Sequence, residues 1–96
     1  MPLTVVATLK AKPGREEDLF RELRALVKPT RAEQGCIAYE MHRSLEEPGT
    51  FVFTESWQDR PLWEAHMNSP HLASFGAKQD ELTESWTLFV GEKVTG

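Results

Sequence analysis

Two histidines and a glutamate are the residues of this chain best suited to acid–base chemistry. The segment EAHMNSPH places His66 and His71 five residues apart, and Glu55 lies shortly upstream in FTESWQD. Imidazole titrates near neutral pH and exchanges protons well when a carboxylate lies beside it. Three interpretations follow: a metal site, a general base with a helper, or histidines that only support packing.

The spacing of the two histidines argues against a shared metal ion. A helix presents two ligands best at i and i+4, where both side chains lie on one face. Five residues correspond to about 500° of rotation, which places the rings roughly 140° apart, and Pro70 interrupts the helix between them. Cys36 is the one cysteine, so a cysteine-based zinc site and an internal disulfide are excluded. We therefore predict no metal here, and a supporting, partly exposed position for His71.

His66 is the candidate base. It shares a predicted helix face with Trp63, so its ring should point partly toward the sheet. Glu55 shares a strand face with Trp57, and burial there would perturb the pKa of its carboxyl group. We therefore expect Glu55 to be the neighbour that tunes His66. The alternative is structural: a hydrogen-bonded histidine at the edge of the core, and a carboxylate that holds a tryptophan or backbone N–H groups.

The hydrophobic pattern predicts the elements that position these residues. LTVVATLKAK is typical of a strand, and apolar residues then recur at helical spacing from Leu19 to Val27. CIAYEMHRSLEEPGTFVFTESW indicates two strands around a turn, Asp59 can cap a second helix that restarts at Pro70, and SWTLFVGEKV is a last strand. The order βαββαβ predicts one α+β domain over residues 1–96, with a ferredoxin-like antiparallel sheet and two helices on one face.

The other face of this sheet is predicted to meet a second copy of the chain. Two helices cover only one face, yet Val52 and Phe89 fall on the opposite one. A strand with one wet face should alternate more cleanly between apolar and polar residues. Packing of two such sheets face to face would bury these positions, so the pattern predicts a homodimer.

Charge and hydropathy limit the possible partners and compartment. The chain carries 15 acidic and 11 basic residues, a net charge of −4, which argues against nucleic acid or an anionic membrane as the natural partner. It has neither a secretory signal pattern nor an apolar run of the length that spans a membrane. We therefore expect a cytoplasmic protein.

Several motifs together resemble the antibiotic biosynthesis monooxygenase (ABM) family, most of all its quinol-monooxygenase-like branch. The similar segments are TVVATLKAKPG, PTRAEQGCIAYEMHRS, FVFTESWQD and LWEAHMNSPHLASF, and they span nearly the whole chain. The most specific parts are the E-x-W of Glu55 and Trp57 and the H-x4-H of His66 and His71.

The resemblance implies a dimeric α+β barrel with a pocket between sheet and helices in each subunit. It further implies oxygenation of a small electron-rich aromatic substrate, a quinol or phenol, by O2 and without metal, flavin or haem. His66 would be the base or would stabilise the anion, and Glu55 would orient it. The remaining candidate residues are expected to bind substrate: Trp57, Trp63, Phe53 and Tyr39 as walls, with His71 beside them.

Two other functions remain open at this point. The same His66 and Glu55 could serve an isomerase that moves a proton on a small carbonyl compound. The chain could also bind a small molecule, for example in a stress response, without any turnover. A shared fold does not choose between these functions.

Overall fold

The computed structural model describes residues 2–95 of the chain. Eight elements follow one another: β1 (Leu3–Ala11), α1 (Glu16–Arg24), α2 (Val27–Arg31), β2 (Cys36–Arg43), β3 (Thr50–Trp57), α3 (Arg60–Met67), α4 (Pro70–Leu82) and β4 (Thr83–Glu92). No helix among the described residues is long and apolar enough to cross a membrane.

The four strands form one antiparallel sheet in the order β2-β3-β1-β4. The predicted α+β, ferredoxin-like fold is thereby confirmed. In the register of the central strands, Val5 lies opposite Glu55 on one side and opposite Val90 on the other. Tyr39 of β2 pairs with Glu55 from the other edge. Because paired residues point to the same face, Tyr39 and Glu55 both face the helices.

Each of the two predicted helical regions is divided into two segments. Asp59 caps α3 by accepting a hydrogen bond from the backbone N–H of Leu62 at 2.9 Å, and Ser69 caps α4 in the same way through Leu72. The restart of the second helix at Pro70 is as predicted. The chain therefore changes direction between Met67 and Pro70, which alters how the histidines on the two sides of the break are oriented.

The core lies between the helices and one face of the sheet. On β3 the buried side chains are Phe51, Phe53, Glu55 and Trp57, whereas Thr54 on the opposite face is exposed. Leu19 and Leu23 of α1 pack into this core from the helical layer. On the opposite face the ring of Phe89 is 59% exposed. The helices therefore cover one face of the sheet over β1 and β3, as the alternation predicted, whereas Trp86 and Leu88 on the same face of the edge strand β4 are 56% and 38% exposed.

Gly35 provides a test of how the loop before β2 packs against α3. Its φ is +85°, and a Cβ added there would lie 2.8 Å from Cβ of Leu62. Gly14 has a similar φ of +84° with no atom within 4 Å of an added Cβ. We expect Gly14→Ala to cost about 1–2 kcal/mol for the left-handed backbone alone, and Gly35→Ala to cost at least about 1 kcal/mol more from the clash. Urea unfolding of both variants measures the difference; equal losses would contradict this packing.

Candidate active site

A largely apolar cavity of about 280 Å³ lies between the sheet and the helices. Aliphatic and aromatic side chains form most of its wall, among them Leu23, Phe53, Trp63, Leu72, Phe75 and Leu88. Polar side chains in this wall include the three titratable groups Tyr39, Glu55 and His66, together with Gln79 and Thr87. An apolar cavity with a few converging polar groups is the usual form of a small-molecule site.

His66 is held by a carboxylate that the sequence interpretation missed. Its Nδ1 lies 2.6 Å from Oε2 of Glu33, in the loop between α2 and β2. Nε2 of His71 lies 2.8 Å from the same oxygen. An ionised carboxylate can only accept hydrogen bonds, so both imidazoles donate an N–H to it. Glu33 is thus the acceptor that ties α3 and α4 to the loop before β2.

Glu55 does not pair with His66, and this corrects the expected neighbour. Oε1 of Glu55 instead accepts a hydrogen bond from Nε1 of Trp57 at 2.9 Å. Both residues lie on the same face of β3, two positions apart, so the indole reaches the carboxyl group along the strand. Glu55 still lines the cavity, but Glu33 takes the place beside His66.

The expectation that His66 and His71 point apart is also wrong. The rotation angle applies only within one continuous helix, and the predicted interruption at Pro70, which was expected to separate the rings, has the opposite effect. The change of direction brings both rings to Glu33, with their centroids 6.1 Å apart. Helical spacing gives no information across such a break.

The ring of His66 is fixed by packing as well as by Glu33. It lies against the fully buried Trp57, with ring centroids 4.6 Å apart, and meets Tyr39 edge-on at 5.6 Å. Burial lowers the pKa of His66, while the hydrogen bond and charge of Glu33 oppose this shift. The neutral ring has one N–H, which Nδ1 uses for Glu33, so Nε2 keeps its lone pair. His66 therefore has the arrangement of a general base at the cavity wall.

The carboxyl group of Glu55 is shifted in the opposite direction. Burial raises the pKa of Glu55 to about 7; the hydrogen bond from Trp57 works against this shift, and the charge of Glu33 adds to it. Near neutral pH the group is therefore close to half protonated. A protonated carboxyl in an apolar cavity can donate a hydrogen bond to a ligand oxygen. Burial likewise holds the pKa of the Tyr39 phenol well above its usual value.

The cavity includes most but not all of the predicted site residues. His66, Glu55, Trp63, Phe53 and Tyr39 line it. Trp57 lies beneath the ring of His66 and His71 lies behind it on Glu33, so these two support the wall rather than form it.

The sequence interpretation missed other residues that line the cavity. It also missed Glu33, which does not line the cavity but binds His66 from behind. Four of these lining residues come from α4 and the edge strand β4, namely Leu72, Phe75, Trp86 and Leu88, and others come from β1 and α1. Helical periodicity from Leu72 to Phe75 was a usable signal for the α4 pair. Glu33 had none, because it is one acidic residue in a loop, 33 positions from its partner.

Among residues 2–95, one group of donor atoms is close enough together to hold a metal ion. It consists of Glu33, His66 and His71. The three atoms lie within 4.8 Å of one another. Two imidazoles and a carboxylate are a donor set that divalent transition metals use in proteins.

The fold and this site define a class: a small α+β protein with an apolar cavity and a carboxylate-bound histidine in its wall. Residues 2–78 match the family model for antibiotic biosynthesis monooxygenase. The chain belongs to this family. It is 34% identical over 80 residues to a Bacillus subtilis (strain 168) protein named "Putative monooxygenase YcnE", covering 83% of this chain and 84% of that protein.

Other relatives are also similar to this chain, but the match covers different fractions of their length. The chain is 30% identical over 81 residues to the uncharacterized protein sll1783 of Synechocystis, which is 84% of this chain but 55% of that protein. Among solved structures, PA3566 from Pseudomonas aeruginosa superposes with a TM-score of 0.94 at 37% identity and covers 98% of this chain and 95% of its own. A structure described as an antibiotic biosynthesis monooxygenase superposes with a TM-score of 0.90 at 29% identity. The match covers 97% of this chain and 99% of that one.

The raised pKa of Glu55 predicts a specific pH dependence of stability. The unfolded carboxyl ionises above 4.5, whereas the folded one keeps its proton until about 7. Stability is therefore lost as pH rises from about 4.5 to about 7, by roughly 3 kcal/mol for this group. Glu55→Gln removes the titrating carboxyl group and therefore this pH-dependent loss. As pH rises from about 4.5 to about 7, the free energy of unfolding of the variant minus that of wild type should increase by roughly 3 kcal/mol.

Urea unfolding at pH 5 and pH 8 measures this change. The matched control is Glu47→Gln, which removes a carboxylate from the exposed turn between β2 and β3. A difference between Glu55→Gln and wild type that is the same at both pH values would contradict the burial of an ionisable Glu55.

Proposed function

We propose that the protein is a cofactor-independent monooxygenase that oxidises a small quinol or phenol with O2. The observation that carries the proposal is the position of His66. Glu33 occupies its Nδ1, which leaves Nε2 as the nitrogen that can serve a ligand in the cavity. The family of the chain and the names of its relatives support a monooxygenase role.

Proton removal is the step that the protein would contribute. A dihydroxyarene in the cavity gives a hydroxyl proton to Nε2 of His66, and Glu33 stabilises the imidazolium that forms. The resulting anion is electron-rich enough to reduce O2 directly. One oxygen atom then enters the ring and the other leaves as water, so that hydroquinone and O2 give hydroxyquinone and water. The substrate supplies all the electrons, and no further reductant is needed.

The rest of the cavity supports a small, flat substrate. The cavity volume of about 280 Å³ is slightly below the usual volume of ligand sites, which is roughly 300–1,000 Å³. Phe53 and Trp63 offer aromatic surface to a ring. Glu55, when protonated, would donate to the substrate oxygen that does not ionise. One- or two-ring aromatics therefore fit this proposal best.

We also propose that the protein is a homodimer that packs sheet to sheet. The sheet face opposite the helices carries Val6, Val52 and Phe89, of which Phe89 is 59% exposed. The ring of Phe89 lies over Gly91, where an added Cβ would approach it to 2.7 Å. A broad ring laid flat on a sheet face is suited to burial under a second copy.

Oxygen uptake tests the proposed reaction. Metal-free, chelator-treated protein should consume O2 with members of a hydroquinone panel and form the hydroxyquinone. His66→Ala should lower the rate by at least about 100-fold, the usual contribution of a general base. Glu33→Gln, which keeps an acceptor for Nδ1 but loses the charge, should give a smaller loss. An unchanged rate in His66→Ala would refute the proposal; so would product without O2 uptake, which indicates an isomerase, or binding without product.

Light scattering tests the dimer. The wild-type protein should have twice its chain mass of 10.9 kDa at micromolar concentration, because the apolar sheet face is buried only on association. Phe89→Glu places a charge in that face and should give monomers. Leu45→Glu is the matched control, since Leu45 is fully exposed in the turn between β2 and β3. A wild-type monomer, or a Phe89→Glu dimer as stable as the control, would contradict sheet-to-sheet packing.

A further inference from the structure

We propose that Glu33, His66 and His71 bind a divalent transition-metal ion such as Zn²⁺, and that the bound ion prevents His66 from acting as a base. The first half depends on this cluster alone. The second half rests on the proposed function, because it concerns the nitrogen that the proposed reaction uses.

The three donors converge from three separate parts of the chain. His66 comes from α3, His71 from α4, and Glu33 from the loop before β2. Their donor atoms lie within 4.8 Å of one another. The side chain of His66 is 3% exposed, and those of Glu33 and His71 are 18% and 21% exposed. One ligand is thus tightly packed, while the other two are partly exposed, so an ion and a water ligand can reach them from solvent.

Binding of an ion requires movement of all but the most tightly packed of the three donors. Zinc–nitrogen and zinc–oxygen bonds of 2.0–2.2 Å in a tetrahedron place two donors about 3.3 Å apart. The two nitrogens now lie 2.6 and 2.8 Å from the carboxylate oxygen of Glu33. Glu33 must therefore move outward by about 0.5–0.7 Å, and the two imidazole nitrogens, which lie within 4.8 Å of each other, must approach to about 3.3 Å. Glu33 lies in a loop and its side chain is partly exposed, so a rotamer change can move its carboxylate, and the partly exposed ring of His71 can move toward the packed ring of His66.

Metal binding would reverse the tautomer of His66. In the hydrogen-bonded cluster Nδ1 carries the proton and Nε2 carries the lone pair. A metal ligand must be the unprotonated nitrogen, so Nδ1 gives up its proton and Nε2 takes one from solvent. No net proton leaves the neutral ring. Nε2 can then no longer accept a proton from a substrate, and the site is inactive as a base.

Zinc titration of the untagged, metal-free protein tests the binding half. Calorimetry should show one Zn²⁺ per chain with micromolar or tighter affinity, and Co²⁺ should give visible absorption bands of a nitrogen- and oxygen-ligated site. His71→Ala should weaken binding at least about 10-fold. His42→Ala is the matched control, because this histidine is exposed and bonds Thr54 on the other face of the sheet.

The outcomes separate this inference from the proposed function. Wild-type protein that binds no Zn²⁺ below 1 mM (about −4 kcal/mol) would overturn the inference. Equal binding by His71→Ala, or loss of binding in His42→Ala, would overturn it too. Should His71→Ala fail to fold, Glu33→Gln gives the same test, since it removes the charged ligand. If Zn²⁺ binds but oxygen uptake by wild type continues at full rate, the inhibitory half is wrong. If Zn²⁺ binds and the metal-free protein consumes no O2, the proposed function fails while the site stands.

Discussion

One carboxylate oxygen, Oε2 of Glu33, receives hydrogen bonds from two imidazole rings. This shared acceptor ties together three segments that are far apart in sequence: the loop before β2, the end of α3 and the start of α4. It also decides the chemistry of the site, because it uses Nδ1 of His66 and leaves the lone pair of the neutral ring on Nε2. Without Glu33, His66 would be a buried ring of undefined tautomer, and His71 would have no role in the site.

The surrounding structure makes this hydrogen bond specific. Trp57, held by Glu55 from the same strand, supports one side of the His66 ring, and Tyr39 meets it edge-on. Burial disfavours charge on both titratable groups of the wall, so it lowers the pKa of His66 and raises that of Glu55 to about 7. A neutral acceptor and a partly protonated carboxyl group therefore line one apolar cavity near neutral pH. Two groups whose environments shift their pKa values in opposite directions are typical of sites for proton transfer.

The fold could be predicted because its signals are local. Alternation along β3, the cap at Asp59, the restart at Pro70 and the order of elements all agree with the structure. The cavity wall was predicted in part, since Phe53, Glu55, Trp63 and His66 share faces that the periodicity defines. The pairing of His66 with Glu33 could not be predicted. It depends on the turn between α3 and α4 and on a loop glutamate that no local pattern distinguishes from the chain's other acidic residues.

The tautomer of His66 is the property on which this account depends most. Nitrogen-15 NMR of the imidazole rings reports which ring nitrogen carries the proton. The measurement is made on the metal-free protein at a pH at which His66 is neutral. We expect the Nδ1–H form for His66, because the carboxylate of Glu33 can only accept a hydrogen bond. We also expect this preference to weaken in Glu33→Gln. A neutral His66 with its proton on Nε2 in the wild-type protein would contradict the account, since Nε2 could then not accept a proton from a substrate.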